Sequence, residues 1–127
     1  MAITDDDWRS EHTDALFGAI LRLDTPNEAA RFFRDLCTLG ELRDLAQRWA
    51  VVRMLDQGLH YAEISKRTGA STATITRIAS WLHHGEGGYQ RMLDRTKQTA
   101  EAERTAERTP ETGDRGAAAS SKTGSRA

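Results

Sequence analysis

The chain has 127 residues, with 18 Lys and Arg against 19 Asp and Glu and a formal net charge of −1 at pH 7. This length holds one ordinary domain and excludes a two-domain enzyme. The segment 96–127 contains no apolar residue other than Ala, so it cannot offset the entropy lost on ordering. We therefore expect one folded domain over 12–95, between a flexible arm at 1–11 and a disordered polar tail at 96–127.

Charge is unevenly distributed along the chain. Residues 1–57 carry 7 basic and 11 acidic side chains, whereas residues 58–95 carry 5 basic and 3 acidic ones. An anionic partner is therefore expected to bind the second half. The single cysteine excludes an internal disulfide, and no apolar stretch approaches the length of a membrane span. Since aspartates also stand where a signal peptide would be basic, the sequence predicts a cytoplasmic protein that does not enter a membrane.

Apolar spacing and capping residues predict the first two helices. A broad apolar stripe indicates a helix over 12–23. Thr25 and Glu28, with Pro26 between them, have the pattern of a capping box that opens a second helix. The buried face expected for that second helix consists of Ala29, Phe32, Phe33, Leu36 and Cys37.

A third helix is predicted by the same capping pattern. Thr38 and Glu41 form the second capping box, and Gly58 is expected to end the helix. No alternation of polar and apolar residues typical of strands occurs in the chain, so we expect an all-α protein. The core stripe expected for the third helix consists of Leu42, Leu45, Ala46, Trp49, Val52 and Leu55.

Residues 60–81 contain two short helical patterns joined at a glycine. Gly69 can adopt the left-handed conformation that a tight turn requires, and Ser71 is placed to cap the second helix. Ile75 and Ile78 have the spacing of that helix's buried face. This combination is typical of a helix-turn-helix.

The outer and leading surface of that second helix carries small and polar side chains. Methyl groups of Ala and Thr can contact thymine methyls, and hydroxyl or guanidinium groups can bond base edges or phosphates. Lys66 and Arg67, with the free N–H groups at the start of the second helix, are expected to contact phosphates. The candidate residues for binding double-stranded DNA are Lys66, Arg67, Ser71, Thr72, Ala73, Thr74, Thr76 and Arg77.

The chain carries four further landmarks: DLCTL at 35–39, QR at 47–48, GASTATITR at 69–77 and GEGGY at 85–89. Together they resemble the Trp-repressor-like superfamily, and within it the YerC/YecD group. The resemblance spans about residues 12–95. It implies an intertwined all-α homodimer whose two recognition helices meet successive major grooves of a pseudo-palindromic DNA site, as a transcriptional repressor does.

The resemblance also carries over part of the family's tryptophan pocket. The family's glycine next to the second arginine is Ile78 here, and its serine near the ligand is Trp81. Overpacking typically costs about 1–3 kcal/mol, so free tryptophan is not expected to bind. The candidate effector pocket consists of the matching Thr38, Arg48, Val52 and Arg77, together with Ile78 and Trp81.

Three interpretations of this pocket remain open. Ile78 and Trp81 fill the space themselves and hold the recognition helix ready without a corepressor. Alternatively, a smaller anionic metabolite binds between Arg48 and Arg77 and controls DNA affinity. In the third interpretation Arg48 is an ordinary surface residue.

The function favoured by these residues is a homodimeric, sequence-specific regulator that binds double-stranded DNA and needs no cofactor. The alternative of a different class is a protein-interaction module, because helix-turn-helix folds also mediate assembly and the acidic first half could bind a basic partner. No nucleophile-and-base pattern, Gly-rich phosphate loop or metal-ligand spacing occurs, so neither an enzyme nor a metal site is expected.

Overall fold

The computed structural model describes the backbone of residues 8–126 and the side chains of residues 8–107. Residues 1–7 of the predicted arm lie outside this range. Within it the chain forms six α-helices and no strand, so the predicted all-α class is confirmed. The helices are α1 (Glu11–Ile20), α2 (Pro26–Leu36), α3 (Leu39–Asp56), α4 (Tyr61–Thr68), α5 (Thr72–His84) and α6 (Gly88–Arg126).

The first helix begins at a cap that the sequence analysis did not predict. Ser10 Oγ accepts a hydrogen bond from the Thr13 amide at 3.2 Å, and the Ser10 amide donates to Thr13 Oγ1 at 2.8 Å. This capping box starts α1 at Glu11, one residue before the predicted helix, and α1 ends at Ile20 rather than at residue 23.

The second helix begins as predicted. Thr25 Oγ1 accepts a hydrogen bond from the Glu28 amide at 3.1 Å, and Pro26 occupies the first turn. The Glu28 carboxylate reaches back one residue further than the usual capping box, because it accepts from the Asp24 amide at 3.0 Å. The start of α2 is therefore held by two side-chain hydrogen bonds.

The third helix has a complete capping box at its start. Thr38 Oγ1 accepts from the Glu41 amide at 3.1 Å, and the Thr38 amide donates to Glu41 Oε1 at 2.8 Å. Hydrogen bonding to the Glu41 carboxylate, first by the Thr38 amide and second by the Thr38 side chain, lowers the pKa of Glu41 below its ordinary value of 4.5. The charged form of Glu41 is thus the form that the folded chain favours.

The lowered pKa of Glu41 gives stability a pH dependence of known sign. A carboxyl whose pKa falls on folding stabilises the protein above its unfolded pKa and loses that contribution as the pH falls through the folded pKa. We expect the wild type to lose stability between pH 5 and pH 3 by more than Glu41→Gln, which keeps an acceptor but cannot titrate. Urea unfolding followed by circular dichroism at both pH values measures the difference.

The matched control for that prediction is Glu103→Gln, an exposed glutamate on α6. It removes one carboxylate at a position outside the capping box, so it controls for the loss of a negative charge. An equal flattening of the pH dependence by both substitutions would contradict the prediction.

The described residues 8–47 belong to the first of two compact units. None of their side chains is fully buried, although both α1 and α2 carry apolar faces. The side chains of the face predicted to be buried on α2 are only partly buried, and Leu36 on it is 49% exposed. The large apolar side chains left exposed in this unit are Trp8, Phe17, Leu21, Leu36, Leu39 and Leu45.

The second unit begins at Arg48 and contains the fully buried core. Helix α5 packs against α4 and against α6. Val52, Ile75 and Ile78 are buried as the sequence predicted, and Val51 joins them although it lies beside the predicted stripe. The core consists of Val51, Val52, Ile64, Ala70, Ile75, Ile78 and Leu93.

The last helix continues beyond residue 95, where the sequence analysis ended the folded domain. Leu93 is its buried core residue, and Lys97 Nζ lies 2.7 Å from Asp56 Oδ2. This hydrogen bond raises the pKa of Lys97. All side chains over 98–107 are exposed, and those from 108 onward lie outside the described residues. Disorder of the tail in solution stays a prediction.

Candidate nucleic-acid interface

The turn between α4 and α5 is built from local hydrogen bonds. Gly69 has a φ of +79°, in the left-handed region, and its amide donates to the Ser65 carbonyl at 2.8 Å. The Ala70 amide donates to Thr68 Oγ1 at 3.2 Å. Ser71 Oγ then accepts from the Thr74 amide at 3.1 Å and caps α5. The predicted glycine turn and serine cap are both confirmed.

Burial of one face fixes the rotation of α5 about its own axis. Ile75 is fully buried and Ile78 is 1% exposed, and both pack in the core with Ile64 of α4. Because side chains follow the helical period, the opposite face must point outward. The exposed residues in the first half of α5 are Thr72, Ala73, Thr76 and Arg77.

Two hydroxyl groups at this surface donate their hydrogens to other atoms of the protein. Thr76 Oγ1 donates to the Thr72 carbonyl at 2.9 Å, one turn back along α5. Ser71 Oγ donates to Thr74 Oγ1 at 3.0 Å. A hydroxyl has one hydrogen and two lone pairs, so the Thr76 oxygen remains available only as an acceptor.

The cations of the predicted site differ in their partners. Lys66 and Arg67 are exposed in the last turn of α4. Arg67 Nε donates to Glu63 Oε1 at 2.9 Å, whereas Arg77 has no ion-pair partner among residues 8–107. Glu63 is not among the residues predicted for this site. Its spacing of four residues before Arg67 is the signal that indicates the pair.

The residues of the predicted effector pocket lie in different surroundings. Val52 is fully buried and Ile78 is 1% exposed, so both are core residues. Thr38, Arg48 and Arg77 are exposed. The Ile78 side chain therefore packs in the core.

Trp81 is 49% exposed and lines a groove of about 600 Å³ in the second unit. The rings of Trp49 and Tyr89 lie in the same groove with their centroids 6.4 Å apart. Of the predicted pocket residues, Trp81 alone is among those lining this groove. The lining consists of Trp49, Trp81, Gly85, Glu86, Gly88, Tyr89 and Met92.

The arrangement of helices described above belongs to a segment that matches a known protein family. The family model described as Trp repressor protein matches residues 11–97, which include every helix from α1 to α5 and the start of α6. The chain belongs to the Trp repressor family. Its helix-turn-helix, α4 to α5, lies wholly inside the matched range.

Relatives of this Trp repressor family protein support the predicted YerC group. The uncharacterized protein YerC of Bacillus subtilis (strain 168) is 48% identical over 94 residues, which cover 74% of this chain and 90% of the relative. A protein named Trp operon repressor homolog from Chlamydia trachomatis serovar L2 is 32% identical over 82 residues, covering 61% of this chain and 87% of the relative. The predicted membership of the YerC group is confirmed.

Solved structures confirm the fold of the family member. A TrpR-like protein from Eubacterium eligens ATCC 27750 superposes with a TM-score of 0.70 at 40% identity, covering 73% of this chain and 96% of that one. A structure from Staphylococcus aureus superposes with a TM-score of 0.70 at 42% identity, covering 76% and 96%. The predicted Trp-repressor-like architecture is therefore confirmed.

Among the described residues, no helix has the length and apolar content needed to cross a membrane. The side chains described also contain no group of three His, Cys, Asp or Glu residues arranged to hold a metal ion.

Proposed function

We propose that this Trp repressor family protein binds double-stranded DNA sequence-specifically and represses transcription. The observation that carries the proposal is the exposed face of α5, which the buried Ile75 and Ile78 turn outward. A major groove about 12 Å wide admits an α-helix, and small side chains allow its close approach to base edges. The name of the Chlamydia relative, a Trp operon repressor homolog, supports the same function.

The proposed contacts divide into two kinds. Lys66 and Arg67 contact phosphates and set affinity, as do the N–H groups at the start of α5. The exposed α5 residues Thr72, Ala73, Thr76 and Arg77 read base edges. Ser71 and Thr74 act mainly as positioning residues, because their side chains bond to each other and to the first turn of α5.

We further propose that the protein acts as a homodimer. The first unit leaves large apolar side chains exposed, and Leu21 reaches 85% exposure. Since large exposed apolar patches mark interaction sites, these side chains are the candidates for a surface that another chain covers. A second copy of the chain is the partner that the fold family suggests, and it would place two α5 helices about 34 Å apart on a pseudo-palindromic site.

The buried Ile78 supports regulation without tryptophan. Its side chain is 1% exposed and belongs to the core that positions α5, so α5 already has its packing partners in the free chain. A preorganised recognition helix needs no ligand to order it. The competing proposal is that a smaller anionic effector binds at the exposed Arg48 and Arg77 and controls DNA affinity, and the experiment below tests both.

The test is selection of genomic duplex fragments by the full-length protein, followed by fluorescence anisotropy over a salt series with and without L-tryptophan. We expect a palindromic sequence to be enriched and its affinity to be unchanged by tryptophan. Enrichment only with tryptophan would contradict the proposed ligand independence. Retention without sequence preference would instead favour a protein-interaction module or a different effector.

Arg77→Ala should weaken binding to the selected duplex by about 5- to 150-fold, the range of a good contact to a base. Arg104→Ala is the matched control, since it removes the same charge from an exposed position on α6. Its effect should be confined to a small, salt-sensitive loss. Equal losses for both variants would mean that Arg77 contributes charge alone.

Breaking the Glu63–Arg67 pair is expected to strengthen DNA binding, whereas Arg77→Ala is expected to weaken it. Glu63→Gln releases Arg67 and removes a negative charge beside the proposed phosphate contacts. Since exposed pairs contribute about 0.2–1 kcal/mol, we expect DNA binding to tighten by about 1.5- to 5-fold, most at low salt. Anisotropy titrations at two salt concentrations measure the change.

Glu101→Gln serves as the control for this substitution. Glu101 lies 3.7 Å from Arg104 in an exposed pair on α6, so the charge change is the same at a site outside the helix-turn-helix. Weaker binding by Glu63→Gln, or an equal gain with Glu101→Gln, would contradict the placement of Arg67 beside a phosphate.

A further inference from the structure

The outer face of α5 presents an unusual combination of groups at Thr76. The hydroxyl hydrogen of Thr76 is donated to the Thr72 carbonyl at 2.9 Å, although the residue as a whole is exposed. The side chain therefore offers solvent an acceptor oxygen and a methyl group, and no donor. A base contacted by Thr76 must supply the hydrogen itself.

Ala73 extends this surface toward the start of α5. It is exposed and lies three residues before Thr76, so the two side chains are neighbours on one face of the helix. Its side chain is a single methyl. The Ala73–Thr76 patch thus consists of two methyl groups and one acceptor oxygen, held in place because Ile75 and Ile78 are buried on the other face.

The major-groove edges of the base pairs differ in how well they match this patch. An A·T pair presents the N6 amino donor of adenine together with the C5-methyl group of thymine. Guanine presents only acceptors there, and cytosine presents an amino donor without a methyl. The A·T pair alone supplies both a donor for the oxygen and an apolar group for the methyls.

We infer that the Ala73–Thr76 patch selects an A·T base pair, with Thr76 Oγ1 accepting a hydrogen bond from the adenine N6 amino group while the methyl groups pack against the thymine methyl. This inference rests on the proposed function and adds the class of base pair that is read. Guanine contacts fall to Arg77, the one Lys or Arg within α5, whose donors suit guanine N7 and O6.

The experiment uses the duplex obtained by selection and changes single atoms of its bases. Each thymine of a half-site is replaced in turn by uracil, which lacks the methyl group. Each adenine is replaced in turn by unsubstituted purine, which lacks the N6 amino group. We expect one A·T pair in each half-site at which the first change weakens wild-type binding about fourfold and the second about fivefold.

Two variants of Thr76 separate the two contacts. Thr76→Val keeps a methyl and removes the oxygen, so it should lose the sensitivity to the N6 amino group and keep the sensitivity to the thymine methyl. Thr76→Ser keeps the oxygen and removes the methyl, so it should keep the first sensitivity and show a smaller second one. Since Thr76 is exposed, both variants should unfold at the wild-type temperature, which circular dichroism checks.

Lys66→Ala is the matched control, because loss of a phosphate contact should weaken binding to all these duplexes by the same factor. Wild-type affinity that is unchanged by every deoxyuridine and purine substitution would overturn the inference and leave the proposed function standing. The inference would also be overturned if substitution of Thr76 changed the sensitivity of binding to a G·C pair and not to an A·T pair. Failure to enrich any duplex would overturn the proposed function as well.

Discussion

Ile75→Ala is expected to lower the free energy of unfolding by about 2–5 kcal/mol. The Ile75 side chain is fully buried and belongs to a core cluster that also contains residues of α3, α4 and α6. A small domain has only about 5–15 kcal/mol of stability, so the loss is a large fraction of the total. Urea unfolding followed by circular dichroism measures the loss.

The control for Ile75→Ala is its exposed neighbour, Thr76→Ala. It should change the free energy of unfolding by about 0.5 kcal/mol or less, as surface substitutions usually do. The two variants also separate stability from recognition, because Thr76→Ala should alter the choice of duplex without unfolding the protein. Similar unfolding midpoints for both would show that α5 is not anchored through Ile75.

The double substitution Leu21→Glu with Leu36→Glu is expected to convert the proposed dimer to monomers. Leu21 is 85% exposed and Leu36 is 49% exposed within one chain, so the charges cost little in a monomer but must be desolvated in an interface. With one recognition helix instead of two, affinity for the selected site should fall by about 10²- to 10⁴-fold. Analytical ultracentrifugation and anisotropy measure the two effects.

A charge-matched variant controls for electrostatic repulsion of DNA. Asn27→Glu with Arg31→Gln makes the same change of net charge at exposed positions of α2. This variant should stay dimeric and lose affinity only in proportion to its charge. If the Leu21 and Leu36 variant sediments as the wild type does, then the second copy does not cover these residues.

The local hydrogen bonds of this protein could be predicted from its sequence. Thr25, Thr38, Gly69 and Ser71 were each assigned to a cap or turn, and each makes the expected bond or adopts the expected backbone conformation. These features join residues at most four positions apart, so the chain specifies them before any distant segment arrives. The family resemblance was carried by the same local segments.

The sequence also determined the two faces of α5. The spacing of Ile75 and Ile78 identified the buried side, and the exposed Thr72, Ala73 and Thr76 follow from the helical period. It did not determine which chemical groups that exposed face offers. The hydrogen bond from Thr76 to the Thr72 carbonyl is a feature of the folded side chain, and it leaves the oxygen as an acceptor only.

Only the tertiary structure decided where apolar side chains find partners. Val51 is fully buried although the predicted stripe passed beside it, while Leu36 on the predicted buried face of α2 is 49% exposed. The sequence allows Ile78 both on the inner face of α5 and in a ligand pocket, and its 1% exposure places it in the core. Helical periodicity shows which residues share a face, but burial of that face depends on segments distant in the chain that pack against it.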